Sequence, residues 1–256
     1  MPSILKRRSL AAFAAFAALV SSAQLSASIN VQPVIIDLET TGRKASGIVT
    51  LQNTFADAIP VEVTVHPVRV VNGELAEMDK EEAENILVFP TQAVVETGGT
   101  QAFRIQWVGE PSPAASEHYY VTVAQLPVAL SGDVNAIQVL HRFRILVNIG
   151  TRGDGAELTV ESVEIIDDDT GQPQPRAVIS NRGANYGYVA QHRMTVSQTD
   201  ENGQYIMRET FQPEQIQQLL GLGMVPSGAS RTLPIGLDLP SADGRVSIQL
   251  TPADSD

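Results

Sequence analysis

The chain has 256 residues, of which 43% are hydrophobic and 18% charged, a composition typical of globular proteins rather than disordered or fibrous ones. Asp and Glu outnumber Lys and Arg by 29 to 17, and the net charge of −12 makes binding to nucleic-acid phosphates unfavourable. The sequence contains no Cys, which excludes disulfide bonds, thiol catalysis and Cys-ligated metal centres.

The first predicted segment is a signal peptide at residues 1–27. Three basic residues at 6–8 precede an apolar run at 9–20, and small residues follow it. This is the pattern of a secretory signal, with cleavage predicted after Ala23 or Ala27. The apolar run is too short to span a bilayer comfortably, and no later stretch is apolar enough to do so. We therefore predict an exported protein that is not embedded in a membrane.

Short segments with period-two alternation dominate the rest of the chain. In segments 61–66 and 103–107, apolar residues alternate with polar ones, which is typical of strands with one buried face. Turn residues such as those at 72–73 and 131–133 bound these segments. Many short strands separated by turns predict an all-β sandwich or barrel. One segment, 213–220, is instead predicted to be a short helix, because Pro lies at its start and Gly follows its end.

A glycine-rich stretch divides the strand pattern into two parts. It predicts a linker at 151–156 between an N-terminal domain at 28–150 and a C-terminal domain at 157–256. A faint repeat supports two domains of one type, since segments 49–53 and 177–181 are both strands that end in Asn. Each is followed by a Gly before an apolar strand, 46 or 47 residues later. We interpret this as two immunoglobulin-like β-sandwiches in tandem.

No motif for catalysis or cofactor binding is found in the sequence. It has no G-x-S-x-G elbow, no P-loop and no H-E-x-x-H motif. The histidines, each predicted to be a surface or half-buried strand residue, are His66, His118, His141 and His192. Their spacing suggests no local metal site. The acidic run at 167–169 favours a solvated turn over a calcium site. We therefore predict no catalytic activity, no metal and no cofactor.

The landmarks of a known family occur in order along the chain. Segments 28–33, 49–53 and 119–127 resemble the first, second and sixth strands of the PapD-like periplasmic pilus chaperones. Further segments of the family are similar to Phe89-Pro90, to the turn and strand at 96–105 and to the late turn at 223–228. Residues 137–149 resemble the seventh strand. The chain is identified as a divergent member of this family.

Two departures from the family pattern mark that divergence. The Glu and Asn that the family carries around its sixth strand fall on Ser116 and Thr122. The basic residue of the family's first strand falls in the segment 33–35, which contains no basic residue. The loop at 129–135, before the seventh strand, is short. In this respect the chain resembles those family members that are chaperones of rod or surface fibres.

The resemblance implies binding by donor-strand complementation, in which the seventh strand completes the fold of a pilus subunit. Ile137 and Val139 are the residues predicted to fill the subunit's apolar groove. Phe143 and Ile145 share their parity, and either extend this row or pack in the core of their own domain. Arg144 falls on the position of a Lys that, in this family, binds the subunit's terminal carboxylate. It is expected to act alone or with Arg142 or Arg104, and is alternatively a surface arginine paired with a nearby acid. Alternatively, all four apolar residues are ordinary core residues of the first domain.

The prediction is therefore a periplasmic chaperone without catalytic activity, whose partners are pilus or fibre subunits and an outer-membrane usher. One alternative is an exported structural or adhesive β-sandwich module that binds surface polymers. That alternative predicts clustered exposed aromatic residues, whereas aromatic residues make up only 5% of the sequence. Another alternative is a periplasmic enzyme with carboxylate chemistry, which predicts a concave acidic pocket.

Overall fold

The structure is a computed structural model that describes residues 28–127, 139–152 and 155–253. The predicted signal peptide lies outside the described residues. The strands of the first half are β1 (Ile29–Gln32), β2 (Ile35–Glu39), β3 (Ser46–Asn53), β4 (Ile59–Val71), β5 (Glu74–Glu77), β6 (Ile86–Phe89), β7 (Gln92–Val95), β8 (Thr100–Trp107), β9 (Glu117–Gln125) and β10 (Arg142–Gly150). A short 3-10 helix, Gly42–Ala45, lies between β2 and β3.

The second half is also built mainly of strands. Its elements are β11 (Leu158–Asp167), β12 (Pro173–Asn181), β13 (Gly187–Tyr188), a 3-10 helix (Val189–Gln191), β14 (His192–Thr199), β15 (Tyr205–Phe211), α1 (Pro213–Leu220), β16 (Met224–Val225), β17 (Ser230–Pro234) and β18 (Arg245–Pro252). The predicted helix is confirmed at α1. Pro213 occupies its first turn, where a missing N–H is tolerated, and Gly221 with φ 71° ends it.

Two facing sheets form the sandwich of the first half. One has the order β1-β3-β8-β6, and the other has the order β2-β10-β9-β4, with β5 and β7 both paired to β4. The alternation predicted for the strands is confirmed, since Val49 and Phe103 of one sheet and Val121 and Val147 of the other are fully buried between them. Burying a side chain of this kind stabilises the fold by about 1.5–3 kcal/mol.

A separate core stabilises the second half. Its sheets have the orders β11-β12-β17 and β15-β14-β18, and β13 pairs with β16. The buried residues of this core include Ile179, Val196 and Ile216, the last of which α1 contributes. The first core draws its residues from 29–149 and the second from 158–250. The structure confirms an all-β fold with two sandwiches in tandem.

Both halves contain the same hydrogen-bonding motif, which accounts for the Asn that ends a strand in each of them. Asn53 and Asn181 are both buried, and each Oδ1 accepts a hydrogen bond from the N–H two residues later. Each Nδ2 donates to the carbonyl four residues later and to a carbonyl of a distant strand, Val95 in one half and Val225 in the other. A buried Asn that satisfies its own polar atoms in this way fixes the turn after its strand.

Candidate functional site

Among the residues that the structure describes, β10 has a neighbouring strand along its length on one side only. It pairs with antiparallel β9 from Arg142 to Ile149, whereas parallel β2 covers its other side only from Leu146 to Gly150. Within the described ranges, the segment 142–145 therefore has no strand beside it on the β2 side. We call this side of residues 139–145 the open edge of β10.

The backbone groups of alternate residues point to the open edge. Gln125 N–H donates to the carbonyl of His141 at 2.9 Å, so His141 faces β9. Leu146 N–H donates to the carbonyl of Val34 at 3.0 Å, so Leu146 faces the opposite side. Because backbone groups alternate between the two sides of a strand, the N–H and C=O of Arg142 and Arg144 point to the open edge. Such groups can pair with an added strand.

The apolar residues predicted to bind a subunit differ in their environment. Ile137 lies outside the described residues. Val139 is 70% exposed, so its side chain is free to contact another molecule. Phe143 is half-buried at the margin of the first core, with its ring stacked on His141 at 6.3 Å between centroids. Ile145 is 0% exposed and packs in the core of its own domain, which is the second of the two alternatives for that residue.

Arg144 lies on the outer face of the sheet, opposite the core. Its guanidinium carbon is 5.7 Å from the centroid of the Tyr120 ring, and Nη1 is 3.8 Å from Oε2 of Glu77. The Arg144 side chain is 55% exposed and that of Glu77 16%, and at 3.8 Å the contact between them is longer than a hydrogen bond. The guanidinium therefore keeps donors available for another carboxylate.

A polar network joins the outer face of β10 to the second half. Asn148 Nδ2 donates to Oδ1 of Asp37 at 3.0 Å and to the hydroxyl of Tyr188 at 2.8 Å. The Tyr188 hydroxyl in turn donates to the same Asp37 oxygen at 2.6 Å. Asp37 and Asn148 belong to the first half and Tyr188 to the second. One carboxylate thus accepts hydrogen bonds from both halves, which fixes how they meet.

His118 extends this network on the side of the first half. Its Nδ1 lies 2.8 Å from Oδ1 of Asn148, and its Nε2 lies 3.2 Å from Oγ of Ser116. Because Oδ1 of Asn148 can only accept, Nδ1 carries the proton and Nε2 accepts from Ser116. The Tyr186 ring meets the His118 ring edge to face at 5.5 Å.

Sequence reasoning missed this network. His118 was predicted to be a surface or half-buried residue, but it is buried because the second half covers the outer face of β9. Asp37 and Tyr188 are 151 residues apart. The one available signal was the polar Asn148 within the apolar run of β10.

Burial lowers the pKa of His118 below its ordinary value of 6.5, although Asn148, Glu117 and Asp37 oppose the shift. In the unfolded chain the imidazole binds a proton near pH 6.5, whereas in the folded chain it does so only at lower pH. The unfolded state therefore binds more protons in this window, and the free energy of unfolding falls as the pH drops below about 6.5. We expect His118→Asn to lose less stability than the wild type between pH 7 and pH 5.

Denaturant unfolding at a series of pH values measures this difference. The comparison with wild type cancels the other histidines, which both proteins retain. Parallel stability curves for the two proteins would contradict the role of His118.

A cleft at the junction of the halves has a volume of about 990 Å³. Asp37 and Glu39 line it, but so do Lys44 and Arg152, and Lys44 pairs with Glu39 at 2.9 Å. This mixture of charges is not the acidic pocket that the enzyme alternative predicts.

The described ranges contain no group of three His, Asp or Glu residues placed to hold a metal ion. In the same ranges, no helix is long and apolar enough to cross a membrane.

Comparison with known proteins relates this architecture to solved structures. No model of a known protein family matches the sequence, and no curated protein matches it significantly. A chaperone–tip adhesin complex of CFA/I fimbriae biogenesis matches with a TM-score of 0.50 and 14% identity, over 90% of this chain and 94% of that one. The CsuC–CsuE chaperone–tip adhesion subunit complex of Acinetobacter baumannii Csu pili matches with a TM-score of 0.51 and 14% identity, over 87% of this chain and 98% of that one.

These similarities extend over both halves and not over one sandwich alone. The resemblance predicted from the sequence is therefore confirmed at the level of the fold. The chain has the PapD-like fold of the fimbrial and pilus chaperones, two immunoglobulin-like β-sandwiches in tandem.

Proposed function

We propose that this protein is a periplasmic chaperone that binds pilus or fibre subunits by lending them the open edge of β10. The observation that carries the proposal is that β2 pairs with β10 only from Leu146 onward, so β2 does not pair with the residues of β10 before Leu146. The fold supports it, since the two similar solved structures are chaperones in complex with a tip adhesin or tip subunit. Delivery to an outer-membrane usher is part of the proposal and follows from the resemblance.

The driving force needs neither a cofactor nor a catalytic group. A strand added at the open edge pairs with the free backbone groups of Arg142 and Arg144. The sheet of the bound subunit also covers Val139, and burial of this side chain contributes about 1.5–3 kcal/mol to the free energy of binding. Ile137, which shares the parity of Val139, is proposed to extend this apolar contact. The incomplete subunit gains the most, because its own apolar groove is removed from water.

Co-purification tests this function. We expect the protein, isolated from the periplasmic fraction of fibre-producing cells, to carry small exported chains that mass spectrometry identifies as fibre subunits. Its own amino terminus is expected at Gln24 or Ser28. Recovery of a monomer without partners from cells that are assembling fibres would count against the proposal.

A further inference from the structure

The hairpin formed by β4 and β5 reaches the second half of the protein. Asn72 and Gly73 connect the two strands as a two-residue turn, and both have positive φ, 52° and 82°. Turns of this kind are favoured in tight hairpins because they match the twist of the flanking strands. At the tip, the carbonyl of Gly73 accepts a hydrogen bond of 2.9 Å from the N–H of Thr232 on β17. The turn of the first half thus pairs with a strand of the second half.

The hairpin pairs with the side of β17 that its own sheet does not cover. β17 lies at the end of the order β11-β12-β17, and Thr232 is opposite Val178 of β12. The Thr232 N–H bonds to the hairpin and therefore points away from β12, whereas alternation directs the N–H of Leu233 toward β12. The carbonyl of Gly73 satisfies a donor that β12 does not reach.

This contact leaves no room for a side chain at Gly73. A Cβ at that position would collide with Oγ1 of Thr232, and it would lie 2.9 Å from Cβ of the same residue. Carbon atoms in contact are normally about 3.5–4.0 Å apart, so the hairpin and β17 would have to separate. Gly98 provides a contrast, because it also has positive φ, 72°, but a Cβ there would meet nothing within 4 Å.

Neighbouring residues support the same contact. Leu75, on β5, packs in the apolar cluster that contains Tyr188 and Met224 of the second half. Glu74 follows Gly73 and Arg231 precedes Thr232, so opposite charges flank the hydrogen bond. Burial lowers the pKa of Arg231, and the nearby Tyr120 and Glu74 oppose this shift. The charge of Glu74 therefore attracts Arg231 across the junction.

The position of the hairpin in the sheet gives this contact a long lever arm. The chain passes from one half to the other directly after β10, and the Asp37–Tyr188 hydrogen bond lies on the adjacent strand β2. β5 is at the opposite end of the order β2-β10-β9-β4-β5, three strands from β10 and about 14 Å away at the usual strand spacing. A contact far from the connection resists rotation of one half against the other more than a contact beside it.

We propose that the turn at 72–73 is a latch that fixes the angle between the two halves, and that Gly73 is the residue on which the latch depends. The inference goes beyond the proposed function, because it concerns the protein with or without a bound subunit. When the hydrogen bond from Thr232 is broken, the halves rotate about their connection and the cleft between them changes in width.

Distances between spin labels test the proposal in the full mature protein. The chain contains no Cys, so Ile48→Cys and Tyr205→Cys place one label on each half. Both positions are exposed, at 60% and 66%. Pulsed electron paramagnetic resonance then compares this doubly labelled protein with the same protein carrying Gly73→Ala or Gly98→Ala. Gly98→Ala is the matched control, because it also places Ala at positive φ in a hairpin turn. Circular dichroism verifies that each variant is folded.

We expect Gly73→Ala to shift and broaden the distance distribution, and Gly98→Ala to leave it unchanged. Amide hydrogen exchange measured by NMR provides a local readout of the same event. In Gly73→Ala the Thr232 amide is expected to exchange about tenfold faster than in wild type, which corresponds to the loss of one hydrogen bond. The Leu233 amide, which points to β12, is expected to keep its exchange rate.

Thr232→Pro breaks the same hydrogen bond from the other side and leaves the turn intact. Pro is tolerated on an edge strand where the N–H points away from the sheet, and Thr232→Ala is its control because it keeps the N–H. We expect the distance shift in Thr232→Pro and not in Thr232→Ala.

An unchanged distance distribution in Gly73→Ala or in Thr232→Pro would overturn the latch, as would an equal shift in Gly98→Ala. If Gly73→Ala does not fold, the comparison of Thr232→Pro with Thr232→Ala decides. These variants leave the open edge of β10 intact, so the co-purification experiment decides separately on the proposed function.

Discussion

Val139→Asp is expected to abolish subunit binding while the protein unfolds at the same denaturant concentration as wild type. Val139 is exposed in the free protein, and surface substitutions of this kind change stability by about 0.5 kcal/mol or less. In the complex, however, the new carboxylate would enter an apolar groove without a partner. The loss of apolar burial and the cost of the buried charge together amount to several kcal/mol, a loss of affinity of about a hundredfold or more.

Ile145→Asp is the contrasting variant. It also introduces Asp, at a position that strand alternation places on the same face as Val139. Ile145 is fully buried in the first core, so its replacement by Asp is expected to unfold the first half. Circular dichroism and denaturant titration measure stability, and co-purification of fibre subunits measures binding. A Val139→Asp variant that binds subunits as well as wild type, or that unfolds like Ile145→Asp, would contradict the assignment of Val139.

The second large effect is expected from Arg142→Pro. The Arg142 N–H points to the open edge, so its removal breaks no hydrogen bond between β10 and β9, and Pro is tolerated on an edge with this orientation. An added strand would lose one backbone hydrogen bond and meet the proline ring in its path. We therefore expect the variant to fold with nearly unchanged stability and to lose co-purifying subunits.

Arg142→Ala is the matched control for this experiment, because it removes the same side chain but keeps the N–H. It is expected to retain its subunits. If Arg142→Pro and Arg142→Ala retain subunits equally, strand addition at this edge is wrong. If both lose them, the side chain rather than the backbone is responsible.

The alternation of residues was sufficient to predict the strands and their buried faces. It works for Phe103 and Ile105 because β8 has one face on the core and the other in solvent. The repeated Asn was also informative, since Asn53 and Asn181 make equivalent hydrogen bonds in the two sandwiches. Signals of this kind depend only on contacts within one domain.

The same reasoning could not separate Val139 from Ile145. Both have the same parity, but only Ile145 lies over the facing sheet of the sandwich, which is a property of the tertiary structure. The burial of His118 likewise depends on contact with the second half. The burial of the Arg231 Nε without a hydrogen-bond partner likewise depends on residues from other strands. These features arise from residues distant in sequence, and no periodicity reports them.

Site-specific photo-crosslinking in fibre-producing cells tests donation of the open edge most directly. A benzoylphenylalanine at position 139 is compared with one at position 205, because Val139 and Tyr205 are similarly exposed, at 70% and 66%. We expect position 139 to form a crosslink to a fibre subunit, identified by mass spectrometry, and position 205 to form none. No adduct at position 139, or equal yields of the same adduct at both positions, would contradict donation of the open edge.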